Sequence, residues 1–407
     1  MNCRHCGMTL RHSFLDLGYA PPSNAYLTKE DLSRPELYLP LRIKVCDQCW
    51  LVQTEDYARA DFLFTSDYAY YSSASSGWLA HARRYSERMI KELGLTPASQ
   101  VLEVASNDGY LLRNFVESGI PCLGIEPAVA TAAQAEQLGI EVLHEFFSEA
   151  LGRQLADEDR QADLVIGNNV FAHVPDINDF TRGLKAVLSL GGVITLEFPH
   201  LMSLIEGGQF DTVYHEHFSY LSLYTVERIF AQADLRVWKV EKLPTHWGSL
   251  RIFGCHADDD RDTTADVKIL RQEEADFGMQ KPELYLKFQA RADKLKDDLL
   301  GFLLEKRRNG EKVVAYGAAA KGSTLLNYAG IKGDLLPYIF DASAAKQGRF
   351  MPGSHIPILS PQAIECLKPD YVLILAWNIA DEIMEQNASL RQFGTKFVTA
   401  VPTLTIQ

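Results

Sequence analysis

From Val101 to about Ala257 the chain alternates short β-branched apolar runs with longer stretches of helical periodicity. The runs are VLEVA, CLGIE, EVLHE, ADLVIG and GVITLEF, followed by RVWKVEKL and SLRIFG. Strands alternating with helices of this length predict βαβ units and a parallel sheet. The last two runs come close together, which predicts an antiparallel pair at the sheet edge. A second α/β set begins at KVVAYG and continues with LLPYIFD, YVLILAW and KFVTAV. Between the two sets, DDDRDTTAD is a charged connector, Pro282 suits a helix start, and Asn309-Gly310 suits its end. Upstream, residues 1–60 show little periodicity and are broken by Pro21-Pro22 and Pro35, while 61–98 reads as a helical lead-in. The expected division is 1–66, 67–257, 258–309 and 310–407, α/β in both larger parts.

Two C-x-x-C pairs, Cys3/Cys6 and Cys46/Cys49, stand 39 residues apart near the N-terminus. Short spacing within each pair lets two thiolates face one ion, and two such pairs complete a tetrahedron. Nothing resembling an export signal precedes them, so they read as metal ligands rather than as disulfides. With four thiolates no coordination position stays open, so the expected ion is a structural zinc. Cys122, Cys255 and Cys366 read as small buried apolar residues.

Net charge is −13, from 40 basic and 53 acidic residues, without a prominent Lys/Arg cluster. That balance disfavours a nucleic-acid partner. No apolar run approaches the roughly 20 residues of a bilayer span. A cytoplasmic protein without a membrane partner is expected, and a monomer is its simplest state.

VLEVASNDGYLLRNF is a strand, a small-residue turn and an amphipathic helix, which places backbone N–H groups at the carboxyl edge of a sheet. The turn lacks G-x-G-x-x-G: Ala105 and Asn107 stand where glycine is common, and Gly109 remains. Glu126 ends the next strand, eighteen residues after Asp108, in position to accept from ribose hydroxyls. The ordered set E-x-A-S-N-D-G, I-E-P, N-N-V-x-A-H-V-P-D and E-x-P-H resembles the class I S-adenosylmethionine methyltransferases. With the N-terminal cysteine pairs and the second α/β part, the chain looks like the sugar C-methyltransferases, which methylate nucleotide-linked 4-keto-deoxy sugars, as in the tetronitrose pathway. This resemblance implies a Rossmann-like methyltransferase domain between a small zinc-binding domain and a C-terminal Rossmann-like domain. It implies cofactor contacts from Glu103, Ala105, Ser106, Asn107, Gly109, Tyr110, Leu111, Glu126, Pro127, Asn168 and Tyr70.

Tyr214-His215-Glu216-His217 is the densest ionisable cluster, between Glu206-Gly207-Gly208 and a helix expected near Ser222. Methylating a ring carbon requires removing a proton next to a ketone, and an imidazole near its ordinary pKa of ~6.5 is a suitable base. The resemblance implies His217 as base, Tyr214 and Glu216 as sugar-positioning groups, and His173 facing the same site. It also implies that a tyrosine of SDYAYYSS closes over the ligands, Tyr68 toward the sugar and Tyr70 toward the cofactor, with Asn169 near the sugar. His246-Trp247-Gly248 sits between the final strands, where a role at the site's edge is the lesser of two readings. In the second α/β part, VVAYGAAAKGSTLLNY places Lys321 and Ser323 in a turn suited to a diphosphate, with Asp341, Trp377 and Asn378 at neighbouring strand ends. The lysine precedes the second glycine, so the turn is not a nucleoside-triphosphate loop. Neither turn has the glycines expected of an NAD-binding oxidoreductase. A different small keto acceptor remains open at this point.

Overall fold

The computed structural model describes residues 1–55 and 71–407; Tyr68, Tyr70 and the side chain of His246 lie outside what is described. In chain order the first strands are β1 (His12–Ala20), β2 (Leu39–Val45) and β3 (Val52–Thr54). Next come β4 (Val101–Val104), β5 (Cys122–Ile125), β6 (Glu141–Leu143), β7 (Ala162–Asn168) and β8 (Leu188–Pro199). They are followed by β9 (Ser219–Tyr220), β10 (Leu235–Leu243) and β11 (Ser249–His256). The last six are β12 (Val313–Tyr316), β13 (Ile339–Phe340), β14 (Ile358–Leu359), β15 (Tyr371–Ile374), β16 (Lys396–Thr399) and β17 (Thr405–Ile406).

The central sheet runs β10-β11-β8-β7-β4-β5-β6. Its pairings are parallel from β8 to β6, while β11 is antiparallel to both β8 and β10, the edge pair that the sequence predicts. β4 is buried at every position, as expected of a strand covered on both faces. Parallel pairing puts the carboxyl ends of β4, β5, β7 and β8 along one rim. Helix Ser76–Leu93 begins at the Ser75 cap, whose side chain accepts from the Trp78 N–H, and ends at left-handed Gly94. The C-terminal sheet, β14-β13-β12-β15-β16-β17, is parallel except at β17. No helix among the described residues is long and apolar enough to cross a membrane.

The N-terminal segment is richer in structure than its weak periodicity suggests. β1, β2 and β3 form an antiparallel sheet, and its fourth strand is β9, contributed from just beyond Tyr214–His217. Register shifts in β1 between Ser13 and Leu15 and between Asp16 and Tyr19 break the period-2 alternation, which hides the strand from a pattern reading. One apolar cluster joins this sheet to the helices after residue 258, the 213 loop and the C-terminal sheet: it includes Phe14, Val213, Phe288, Leu299, Ala315, Leu325 and Leu373. Phe14 stacks on Phe288 at 4.6 Å between centroids. Cys255 is buried as expected, but Cys366 is exposed and Cys122 only half-buried.

Candidate active site

The four cysteine sulfurs lie within 4.8 Å of one another. The Cys3–Cys49 and Cys6–Cys46 Sγ pairs are 3.5 Å apart. Tetrahedral zinc with Zn–S near 2.3 Å needs sulfurs about 3.8 Å apart, so the donor set fits. Each knuckle closes with its fifth residue in the left-handed region: Gly7 at φ 76° donates to Cys3 O, and Trp50 at φ 60° donates to Cys46 O. Hydrogen bonds from Cys46 and Cys49 hold Cys3 far below the usual thiol range, and Cys49 is pushed up. Arg4 donates to Pro175 O at 2.8 Å and Thr54 O at 2.9 Å, and His5 Nδ1 bonds Asn178 Oδ1 at 2.8 Å. Pro175 and Asn178 follow His173 directly, so the first knuckle braces one wall of the site.

On the rim, Ala105 (φ 58°), Asn107 (φ 51°) and Gly109 (φ 77°) make a left-handed turn after β4. Only glycine fits at 109, where an added Cβ would sit 2.6 Å from Ile140 Cδ1. Glu126 at the end of β5 accepts from the Asn107 N–H at 3.0 Å and the Ala128 N–H at 2.9 Å, locking the two strand ends together. Burial pushes its carboxyl up, and pushes up Glu103 on β4 further, with Asp108 and Glu126 adding repulsion. Three crowded carboxylates fit a cationic ligand, and S-adenosylmethionine carries a net positive charge. Glu103 Oε2, Asp108 Oδ1 and both polar atoms of the Asn168 amide are buried without a partner among the described residues, which leaves polar valences for such a ligand. Pro127 is half-buried after Glu126, and Tyr110 packs beneath Trp78 at 6.1 Å. The Ser106 side chain lies against Gly124, its Oγ likewise buried without a partner among the described residues, while Leu111 is buried in the core beneath the turn. Asn169 (φ 54°) donates its N–H to Glu197 O at 2.7 Å.

The catalytic candidates sit on a loop entered through helix Leu201–Gly207 and left-handed Gly208, where a Cβ would meet Arg291 Nε at 2.6 Å. The His217 ring lies 4.0 Å from Tyr214, on the same loop, and 4.6 Å from His173 between centroids, so two segments distant in sequence converge. His217 Nδ1 contacts Thr212 O at 3.0 Å. A carbonyl only accepts, so Nδ1 carries the proton and the lone pair lies on Nε2, as a base requires. His173 Nδ1 donates in the same way to Glu216 O at 2.9 Å. Burial lowers the His173 pKa to about 4, so it is neutral near pH 7. His215 turns the other way, to Pro40 O on the N-terminal sheet at 3.3 Å, and is structural.

Asp211 has no counterpart in the sequence reading. It is fully buried, accepts from Trp377 Nε1 at 2.6 Å, and bridges the loop to the C-terminal domain. Lys321 falls in the first turn of helix Ala320–Ala329; its Nζ donates to Asn378 Oδ1 at 2.6 Å and lies 4.6 Å over the Trp377 ring. Trp247, half exposed, meets Trp377 edge-on at 5.6 Å. Lys321, Trp377 and Asn378 therefore cluster against the catalytic loop. Ser323 and Asp341 do not join them: Asn327 donates to Ser323 Oγ, and Asp341 braces the turn by accepting from the Ala318 and Ser343 N–H groups. A second unforeseen cluster, Glu197 with Arg251, His81 and Thr245, pins helix Ser76–Leu93 to the end of β8. Burial alone would raise the Glu197 carboxyl, but His81 and Arg251 together hold it below the usual range.

Comparison with known proteins gives three family matches along the chain: "Putative zinc binding domain" at residues 3–64, "Methyltransferase domain" at 78–240, and "C-methyltransferase C-terminal domain" at 244–402. The chain is 33% identical over 400 residues to C-methyltransferase NovU of Streptomyces niveus, across 98% of this chain and 95% of that protein. Two solved structures align with less than half of it. An S-adenosylmethionine-dependent methyltransferase from Clostridium acetobutylicum ATCC 824 matches 43% of this chain and 91% of its own, at 10% identity and TM-score 0.34. Magnesium protoporphyrin IX methyltransferase from Synechocystis PCC 6803, solved with bound SAH, matches 44% and 83%, at 13% identity and TM-score 0.35.

Proposed function

The chain belongs to the C-methyltransferase family, with a class I methyltransferase fold and S-adenosylmethionine as cofactor; on that premise we propose that it methylates a ring carbon of a nucleotide-linked 4-keto-deoxy sugar, C-3′ being the expected position. The observation that carries this reading is the Tyr214–His217–His173 ring cluster, in which the lone pair of His217 lies on Nε2. Bound S-adenosylmethionine supplies an electrophilic methyl group on sulfonium sulfur. Glu126 would accept from its ribose hydroxyls, and Glu103, Asn168 and the 105–109 turn would hold its remaining polar groups. His217 Nε2 removes the proton next to the ketone, and the electron pair left on that carbon forms the new C–C bond to the methyl group as the S–CH3 bond breaks, its pair returning to sulfur to leave S-adenosylhomocysteine. Tyr214 O–H donates to the oxygen that gains charge. His173 is neutral with its proton already donated to Glu216 O, so it accepts from a sugar hydroxyl and does not protonate the ketone. Lys321, Asn378 and Trp377 receive the diphosphate and nucleoside. The division 1–66, 67–257, 258–309 and 310–407 follows these roles, and a reducing cytoplasm suits four zinc-bound thiolates. Incubation with methyl-labelled S-adenosylmethionine and a panel of nucleotide 4-keto sugars, read by mass spectrometry, should show label in at least one; transfer to none would overturn the sugar assignment.

Two further results follow. Replacing Glu126 with alanine removes charged hydrogen-bond acceptors worth about 1.5–3 kcal/mol. Calorimetry should therefore show S-adenosylmethionine affinity falling by roughly ten- to a hundredfold. Unaltered affinity would remove Glu126 from the cofactor site. Burial lowers the Lys321 pKa to about 8, against the pull of Asp211. The ammonium is therefore present below pH 8 and is lost as pH rises through it, and kcat/KM, which reports free-enzyme pKa values, should fall above pH 8. Lys321→Met should abolish that alkaline limb; its persistence would assign the limb elsewhere.

A further inference from the structure

The loop after β1, Pro21-Pro22-Ser23-Asn24-Ala25-Tyr26, stands out in the sequence only as a break in the pattern, yet three of the four parts of the molecule meet there. Its C-terminal end is fixed by the C-terminal domain: Leu27 and Phe350 exchange two backbone hydrogen bonds of 2.9 Å, and Tyr26 O–H donates to Ala318 O at 2.6 Å. Within it, the Ala25 N–H donates to Pro22 O at 3.1 Å, and the Tyr26 N–H donates to Asn24 O at 2.9 Å, a tight turn that projects the residue 24 side chain. That side chain reaches the catalytic loop. Asn24 Nδ2 donates to both carboxylate oxygens of Glu216, at 2.9 and 3.0 Å. Two carboxylate oxygens can be met only by the nitrogen end of the amide, so the orientation of Asn24 is settled by its partner.

We propose that Asn24, supplied by the N-terminal module, is a positioning residue for the reaction. Resting on the function proposed above, the inference is that Asn24 clamps the carboxylate of Glu216, whose carbonyl in turn fixes the His173 ring. Glu216 is thereby held at both ends, and His217 follows it directly in the chain. The N-terminal module therefore acts on the reacting groups through a specific side chain, beyond its part in the shared core. A misplacement of about 1 Å in such a site can lower the rate about a hundredfold.

The test uses the full-length zinc-loaded protein with ¹⁵N-labelled histidine and first requires no sugar. Asn24→Ala should keep the thermal midpoint and zinc content of the parent while the His173 Nδ1–H resonance shifts and broadens. An unchanged resonance overturns the proposal whatever the acceptor is, and so does a loss of zinc or stability that accounts for the change. In the methyl-transfer assay kcat should fall about tenfold or more with KM nearly constant. Asn24→Asp keeps the shape but opposes two carboxylates, so it should be at least as impaired as Asn24→Ala. Parent-like kcat in Asn24→Asp overturns positioning in favour of simple packing. A parent protein that transfers no methyl group counts against the sugar reading and leaves the resonance result to decide the role of Asn24.

Discussion

Replacing His217 with alanine should lower methyl transfer by about 10²–10⁴-fold while S-adenosylmethionine still binds, because acid–base help is worth about that much. The geometry makes the effect specific. His217 Nδ1 is committed to Thr212 O, so the ring presents Nε2 as its basic atom, beside Tyr214 and His173. His215, two residues earlier, is tied to Pro40 O on the N-terminal sheet and cannot substitute without breaking that contact. Proton removal precedes carbon–carbon bond formation, so the loss should appear in exchange of the acceptor's α-proton with deuterated solvent. Undiminished exchange in His217→Ala would remove His217 as the base. His215→Ala, by contrast, should cost stability before it costs exchange.

Removing zinc should have the next largest effect, abolishing activity and lowering the thermal midpoint by at least about 10 °C. Structural zinc contributes apparent binding free energies of about 10–16 kcal/mol in small zinc-folded peptides, and each kcal/mol is worth about 2–4 °C in domains of 150–250 residues. Part of that free energy is replaced here by the apolar core that Phe14, Leu41 and Ile43 share with the C-terminal half. The drop should thus be a large destabilisation short of complete unfolding. Activity should be lost with the metal, because the cysteine knuckles connect to both walls of the site. Arg4 and His5 hold the 175–178 segment after His173, and β3 pairs with β9 just after His217. Metal analysis, thermal unfolding and methyl transfer should fall together on chelation and in Cys46→Ser. A zinc-free protein with full activity and an unmoved midpoint would contradict the structural assignment.

The two Rossmann-like sheets were readable because buried parallel strands such as VLEVA and YVLILAW are continuous apolar runs bounded by turns. The N-terminal sheet was not, since β1 carries two register shifts and its last strand comes from far along the chain. The same division applies to the site. The cysteine spacing and the tyrosine–histidine cluster are local patterns, so the sequence displays them. Asn24, Asp211 and the Glu197–Arg251–His81 cluster act only through contacts between distant segments, and single residues of common type give no local signal. Leu111 and Ser323 both lie in informative motifs, and the fold places one in the core and bonds the other along its own helix.

The central claim is a methyl transfer to carbon. It is tested most directly by running the reaction in deuterated water with ¹³C-methyl S-adenosylmethionine and locating the label in the isolated nucleotide sugar by carbon–proton correlation NMR. The account predicts one labelled methyl group bonded to the ring carbon next to the ketone, with the proton of that carbon lost. A label on oxygen or nitrogen, or on a carbon remote from the ketone, would contradict it.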